Sequence, residues 1–124
     1  MAKHRPICGI YAAAMISQKP VDEVFEDYKK TWNKGNNWKG KTKLHNILTL
    51  ITKYGISFKE INVDRQRLSS LIEDVSNIKK TMLIRTTGHI QLLTGEYITD
   101  QTGTFHIKDF WGKNKIVNTV IIIG

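Results

Sequence analysis

The stretch Gly88-His89-Ile90-Gln91-Leu92-Leu93-Thr94-Gly95-Glu96-Tyr97-Ile98-Thr99-Asp100 constrains this chain more than any other. Two runs of apolar and β-favouring residues flank Gly95, which suits the first position of a two-residue turn of the primed type, so the stretch reads as a β-hairpin. With Gly95 and Glu96 as the loop, Thr94 lies opposite Tyr97, Leu93 opposite Ile98, Leu92 opposite Thr99 and Gln91 opposite Asp100. Paired residues share a face, as do alternate ones, so His89, Gln91 and Asp100 point the same way. His89 and Asp100 then sit on a diagonal of roughly 7–8 Å between backbones, which their side chains can close. A loop of three residues would turn Asp100 to the opposite face.

A histidine oriented by a carboxylate is half of a nucleophilic triad. The chain has one cysteine, Cys8, to supply the rest. Cys8 to Ser17 reads as a helix rich in alanine, with Ile10, Ala13, Ala14 and Ser17 along one side. Cys8 falls in its first turn, where unsatisfied amides and the helix dipole favour a thiolate. Each residue also has an ordinary reading. An isolated cysteine is often a small buried hydrophobe, a strand histidine is common on the wet face of a sheet, and Asp100 precedes the turn signal Gln101-Thr102-Gly103. His45 and His106 read as surface residues, one off the core face of its helix and one in an edge strand. No close spacing of His, Cys and Asp offers a metal site, and nothing in the sequence calls for a cofactor.

The rest of the chain orders itself around these positions. Pro20 opens a second helix, with Asp22 and Glu23 in its first turn and Val21, Val24, Phe25 and Tyr28 on its buried face. The lysine-rich segment Lys29–Lys41, which carries Trp32 and Trp38, reads mostly as a loop. Thr42 is placed to cap a third helix, through Leu44, Ile47, Leu48 and Ile51, with Gly55 just past its end. A strand over Ile56–Ile61, a helix over Asp64–Val75, a strand over Lys80–Arg85, the hairpin, and strands over Phe105–Phe110 and Lys115–Ile123 follow. Helices first and a mostly antiparallel sheet afterwards make an α+β plan, expected as one domain over residues 1–124.

Charge and composition limit the setting. The formal charge is +8, from 19 basic and 11 acidic residues. This suits an acidic partner such as nucleic acid, phosphate or an acidic protein surface, and equally a solvated lysine-rich surface. Lysines with Trp32 or Trp38 would serve nucleic-acid binding, whereas tryptophans in a long loop also serve to pin it to the body. A single cysteine excludes an internal disulfide and fits a reducing compartment, hence a cytoplasmic location. The basic N-terminus lacks the apolar run of a secretory signal, and Val120–Ile123 is too short to span a bilayer.

Taken in order, Cys8-Gly9 at a helix start, Pro20-Val21-Asp22-Glu23-Val24, Lys39-Gly40-Lys41-Thr42, strand-borne Gly88-His89 and then Tyr97-Ile98-Thr99-Asp100 resemble the papain-like cysteine peptidases. The likeness is to the small, C39-like form often seen in phage and bacterial genomes. It implies Cys8 as nucleophile, His89 as general base and acid, Asp100 as the residue orienting His89, and the Cys8 amide in an oxyanion hole. That family usually carries a glutamine a few residues before the cysteine. Here Lys3, His4, Arg5, Pro6 and Ile7 occupy that region, and His4 is the candidate substitute. Many relatives also have proline after Cys-Gly, where this chain has Ile10. His4, Gly9, Gln91, Trp38, Lys41 and Thr42 are the candidates for the oxyanion hole and substrate cleft.

The expected function is a thiol hydrolase cutting a peptide, isopeptide or other amide through an acyl-enzyme. The Lys29–Lys41 loop and the start of the third helix are expected to wall the cleft, their lysines favouring an acidic substrate. The alternative is an inactive, phage-type binding protein on the same scaffold, gripping an acidic host protein or nucleic acid by its basic surface.

Overall fold

The computed structural model describes residues 7–124, so His4 lies outside the described residues. Three helices come first: α1 (Cys8–Ser17), α2 (Val21–Thr31) and α3 (Leu44–Lys53). Strand β1 (Phe58–Ile61) and helix α4 (Leu68–Val75) follow. Then come β2 (Met82–Thr86), β3 (His89–Thr94), β4 (Tyr97–Asp100), β5 (Gly103–His106), a 3-10 turn at Ile107–Asp109, and β6 (Val117–Ile123). The strands form one six-stranded sheet in the order β1-β6-β2-β3-β4-β5, every neighbouring pair antiparallel. The fold is α+β, as the order of apolar patterns predicts.

The sheet separates two apolar clusters. Leu83, Ile90, Leu92 and Ile121 point towards α1, α2 and α3. Met82, Ile84, Leu93, Ile98 and Val120 point the other way, onto α4 and Phe110. This alternation along β2 and β3 explains why both strands read as continuous apolar runs: both of their faces are covered. In α1, Ala12, Ala13 and Ala14 are all buried, because α2, α3 and the sheet close on it from several sides. Gly9 permits the closest of these approaches. A Cβ there would collide with Thr42 Oγ1 and lie 3.2 Å from Ile47 Cγ1.

Several boundaries differ from the pattern-based expectation. Helix α4 begins at Leu68 rather than Asp64, because the preceding Arg67 is drawn into an extended bridge with Ile116. Strand β1 begins at Phe58, β2 covers Met82–Thr86, and β6 begins at Val117. The strand expected over Phe105–Phe110 ends at His106 and gives way to the 3-10 turn, whose first amides are satisfied locally: His106 Nδ1 accepts from the Lys108 N–H. Thr42 does not cap α3. Lys43 takes the cap position without a side-chain cap bond, and its N–H donates instead to the hydroxyl of buried Tyr28 at 3.3 Å.

The segment read as a loop begins later, since α2 runs on to Thr31. Its tryptophans are pinned onto α2. Trp38 stacks on Tyr28 at 5.0 Å between ring centroids and packs against Phe25 at 4.8 Å, and Trp32 meets Tyr28 at 4.5 Å. Trp38 Nε1 donates to the Lys41 carbonyl at 3.1 Å. Among the described residues no helix is long and apolar enough to cross a membrane.

Tyr28 therefore anchors the start of α3, accepting also from Asn46 Nδ2 at 2.9 Å. Tyr28→Phe leaves two part-buried donors without this acceptor and is expected to cost about 1–2 kcal/mol. The check is a lowered urea midpoint at unchanged slope; an unmoved midpoint would show that the hydroxyl is not an anchor.

Candidate active site

The β3–β4 hairpin has the register its sequence predicts: Leu92 opposite Thr99, Leu93 opposite Ile98 and Thr94 opposite Tyr97, with Gly95 at a φ of 63° in the turn. A two-residue turn keeps His89 and Asp100 on one face. Their side chains meet there, His89 Nε2 to Asp100 Oδ2 at 2.8 Å, both almost fully buried. The second carboxylate oxygen accepts from the backbone N–H of Thr102 at 2.8 Å and from the Thr102 hydroxyl. The turn after Asp100 thus fixes the carboxylate that fixes the imidazole.

His89 is the first residue of β3, beside the turn at Thr87–Gly88, so the end of the strand meets the tip of α1. Burial acts to raise the Cys8 pKa, but a hydrogen bond with His89, N–H contacts from Ile90 and Gly9 and the imidazolium charge outweigh it, and the thiol lies below its ordinary value. For His89, burial opposes the charged form, while hydrogen bonds to Asp100 and Cys8 and the charges of both push its pKa up to about 9. Burial would raise Asp100, yet His89 and Thr102 hold it below the usual carboxylate range. With Nε2 committed to Asp100, Nδ1 is the ring nitrogen available to the sulfur. All three shifts run towards the charged form of their group: Cys8 and Asp100 downwards, His89 upwards.

Trp111 covers this arrangement from outside. Its ring lies 4.8 Å from the His89 ring, centroid to centroid, and is itself 53% exposed; Lys115 Nζ sits 5.2 Å above it. Phe110 is buried beneath, 6.4 Å from His89. A cleft of about 500 Å³ opens at the thiol, lined by Cys8, Lys41–His45, Arg85 and Gly88–Ile90.

The remaining candidates divide. Lys41 and Thr42 line the cleft. Gly9 is buried and does not line the cleft, its N–H turned to the Cys8 sulfur. Trp38 does not line it and instead holds Lys41 from behind. Gln91 shares the His89 face but is sealed from the cleft, donating to the Ile84 carbonyl beside Thr86. The Lys29–Lys41 loop contributes Lys41 alone, since Lys29, Lys30 and Lys34 line a separate hollow with Glu26 and Asn33. His45 is exposed as expected, yet it lines the cleft; His106 lies in edge strand β5, 3.4 Å from Glu96. Among the described residues no three His, Cys, Asp or Glu converge as a metal site. Thr102, Trp111 and Arg85 were not among the sequence candidates. The Gln101-Thr102-Gly103 turn signal was the available hint for Thr102; nothing local marks Trp111.

A cysteine-bearing helix packed against an antiparallel sheet that carries histidine and aspartate is the papain-like cysteine-peptidase fold. A solved structure shares it: a double glycine motif protease from an AMS/PCAT transporter, in complex with the leader peptide, superimposes with a TM-score of 0.60 over 99% of this chain and 87% of that one, at 18% identity. At that identity the likeness speaks for the fold alone. No protein-family model and no curated protein matches the sequence.

The coupled charges give a pH signature. Because His89 is raised from 6.5 to about 9, the stability it contributes is complete below 6.5 and lost as pH rises through about 9. Because Asp100 is depressed, its contribution is present above 3.8 and lost as pH falls through its lowered value. The unfolding free-energy difference between wild type and Asp100→Asn is therefore expected to be largest between those limits, 3.8 to 6.5, and to shrink above pH 9. An NMR titration of His89 should have its midpoint near 9 in the wild type and a lower one in Asp100→Asn. Equal midpoints would remove Asp100 as the cause.

Proposed function

We propose that this chain is a single peptidase-type domain acting as a thiol hydrolase on a peptide or other amide bond, with Cys8, His89 and Asp100 as its triad. The observation that carries the reading is a buried carboxylate 2.8 Å from one nitrogen of an imidazole that lines the same cleft as the Cys8 thiol. The fold shared with a double glycine motif protease is consistent with it, and that protein's bound leader peptide suggests a peptide as substrate here.

In this reading the Cys8 thiolate attacks the carbonyl carbon and a C–S bond forms. The tetrahedral oxyanion is held by the Cys8 N–H at the open end of α1. The Gly9 N–H is directed to the sulfur, which leaves the Cys8 amide for this role. The C–N bond then breaks as His89 gives its proton to the departing amine. Water next attacks the thioester, His89 takes a proton from it, and the acid leaves with the thiolate restored. Asp100 holds the tautomer and stabilises the imidazolium at each stage, and Trp111 keeps bulk water from the His89–Asp100 bond.

Iodoacetamide at pH 6 tests the reading directly. An unperturbed thiol, with a pKa of about 8.5, is scarcely ionised there, so Cys8 is expected to alkylate roughly tenfold or more faster than free cysteine. His89→Ala should bring that rate down towards the free-cysteine value and lower amide turnover about 10²–10⁴-fold, and Cys8→Ala should abolish both. A Cys8 that reacts no faster than free cysteine would instead favour a non-catalytic binding protein on this scaffold.

A further inference from the structure

Among the described residues, every ionisable side chain lining the cleft beyond Cys8 and His89 is basic. Lys41, Lys43 and His45 come from the segment entering α3, and Arg85 faces them from β2. All four are exposed, and none is in an ion pair among the described residues, where the pairs are Lys19–Glu23, His89–Asp100 and His106–Glu96. Asp100, on the far side of His89, is buried and its oxygens are committed to His89 and Thr102. The sheet wall is irregular where it carries Arg85: the β2–β6 register shifts between Arg85 and Thr86, leaving Asn118 as an extra residue opposite. Bulges of this kind re-aim side chains beside functional sites. Among the described residues the cleft therefore has basic side chains on both walls and no carboxylate in its lining.

We infer that the substrate is an acidic peptide, with aspartate or glutamate flanking the scissile amide and paired to Lys41 and Lys43 on one wall and Arg85 on the other. This rests on the thiol-hydrolase reading and deepens it. A nucleic acid fits the same charge less well. Among the described residues the cleft lining holds no Phe, Tyr or Trp; exposed Trp111, beside His89, has Lys115 over its ring, and Trp32 and Trp38 are spent packing against α2. The lysines of the Lys29–Lys34 stretch, which would extend a track for a phosphate backbone, line a different hollow.

Binding and turnover are measured separately. For binding, fluorescence anisotropy with the Cys8→Ala protein compares three fluorescein-labelled probes: a short peptide with glutamates on both sides of a central Ala-Ala, its glutamine counterpart, and single-stranded oligothymidylate of equal charge. The glutamate peptide is expected to bind about tenfold tighter than the glutamine one, as two or three exposed pairs would give. High salt should erase that preference, and so should Lys43→Gln combined with Arg85→Gln. Wild-type protein should cut the glutamate peptide with the same preference. Equal binding and cutting of both peptides would overturn the inference while leaving the hydrolase reading intact, and tighter binding of oligothymidylate would overturn it in favour of nucleic acid. Preferential binding of the glutamate peptide without cleavage, and without fast alkylation of Cys8, would uphold the cleft's specificity and overturn the hydrolase reading.

Discussion

The hydrogen bond between His89 and Asp100 depends on the parity of one turn, and much of the surrounding structure serves to keep that bond dry. Both groups lie almost fully out of water, where an unpaired ion is costly. Removing one member of such a pair costs about 3–5 kcal/mol, most of it from the charge left without a partner. The hairpin cannot slip without paying this, because a shift of one residue would send Leu93 and Ile98 out of the core along with Asp100. Thr102 satisfies the remaining carboxylate oxygen and Trp111 covers the ring. A polar pair that is fully satisfied can specify one register more sharply than an apolar pair of the same size.

Cys8 reaches this pair through packing on the other side of the sheet. The alanines of α1 let α2, α3 and β3 approach it closely, and Gly9 lets the start of α3 press against its first turn. Tyr28, held between Trp32 and Trp38, bonds the first amide of α3 and so fixes the wall that carries Lys41 and Lys43. Gly40 completes this contact. At a φ of 99° it adopts a backbone conformation costly for other residues, and a Cβ would come within 2.7 Å of Ile7. The loop between α2 and α3 is thus a brace whose hydrophobic side chains face inwards and whose last lysine faces the cleft.

What could be read in the sequence was local. Gly95 between two apolar runs fixed the hairpin register, and with it the meeting of His89 and Asp100. Periodicity and Gly55 placed α3, and α1 and α2 followed from Ala-rich and Pro20-led segments. Non-local features stayed hidden. The late start of α4 depends on Arg67 meeting Ile116, forty-nine positions on. The Tyr28–Lys43 bond replaced the cap that Thr42 was expected to provide, because a buried hydroxyl fifteen residues away competes with local capping. Parity placed Gln91 on the right face, but its burial depends on the strands on either side. Trp111 follows a 3-10 turn with no periodicity, and only the folded sheet brings it to His89.

The basic cleft poses an electrostatic problem for the pair Cys8 and His89. Four cationic or titratable side chains around a thiolate would help to ionise it, but they would also oppose an imidazolium beside it. His89 nevertheless favours the charged form, and the influences that raise it come from Asp100, which is buried, and from Cys8, which is half-buried at the cleft. Lys41, Lys43 and Arg85 are exposed, so water and salt screen them within a Debye length of about 8 Å. Close interaction with Asp100 and Cys8 outweighs screened repulsion from the rim. The same distance dependence divides the labour: the neighbouring groups set the protonation of Cys8, while the exposed cations act on charge approaching from solution. In the proposed reaction, a substrate carboxylate that pairs with the rim would displace its water and bring the two regions into one low-dielectric site, where attraction between a charged Cys8 and a charged His89 is stronger.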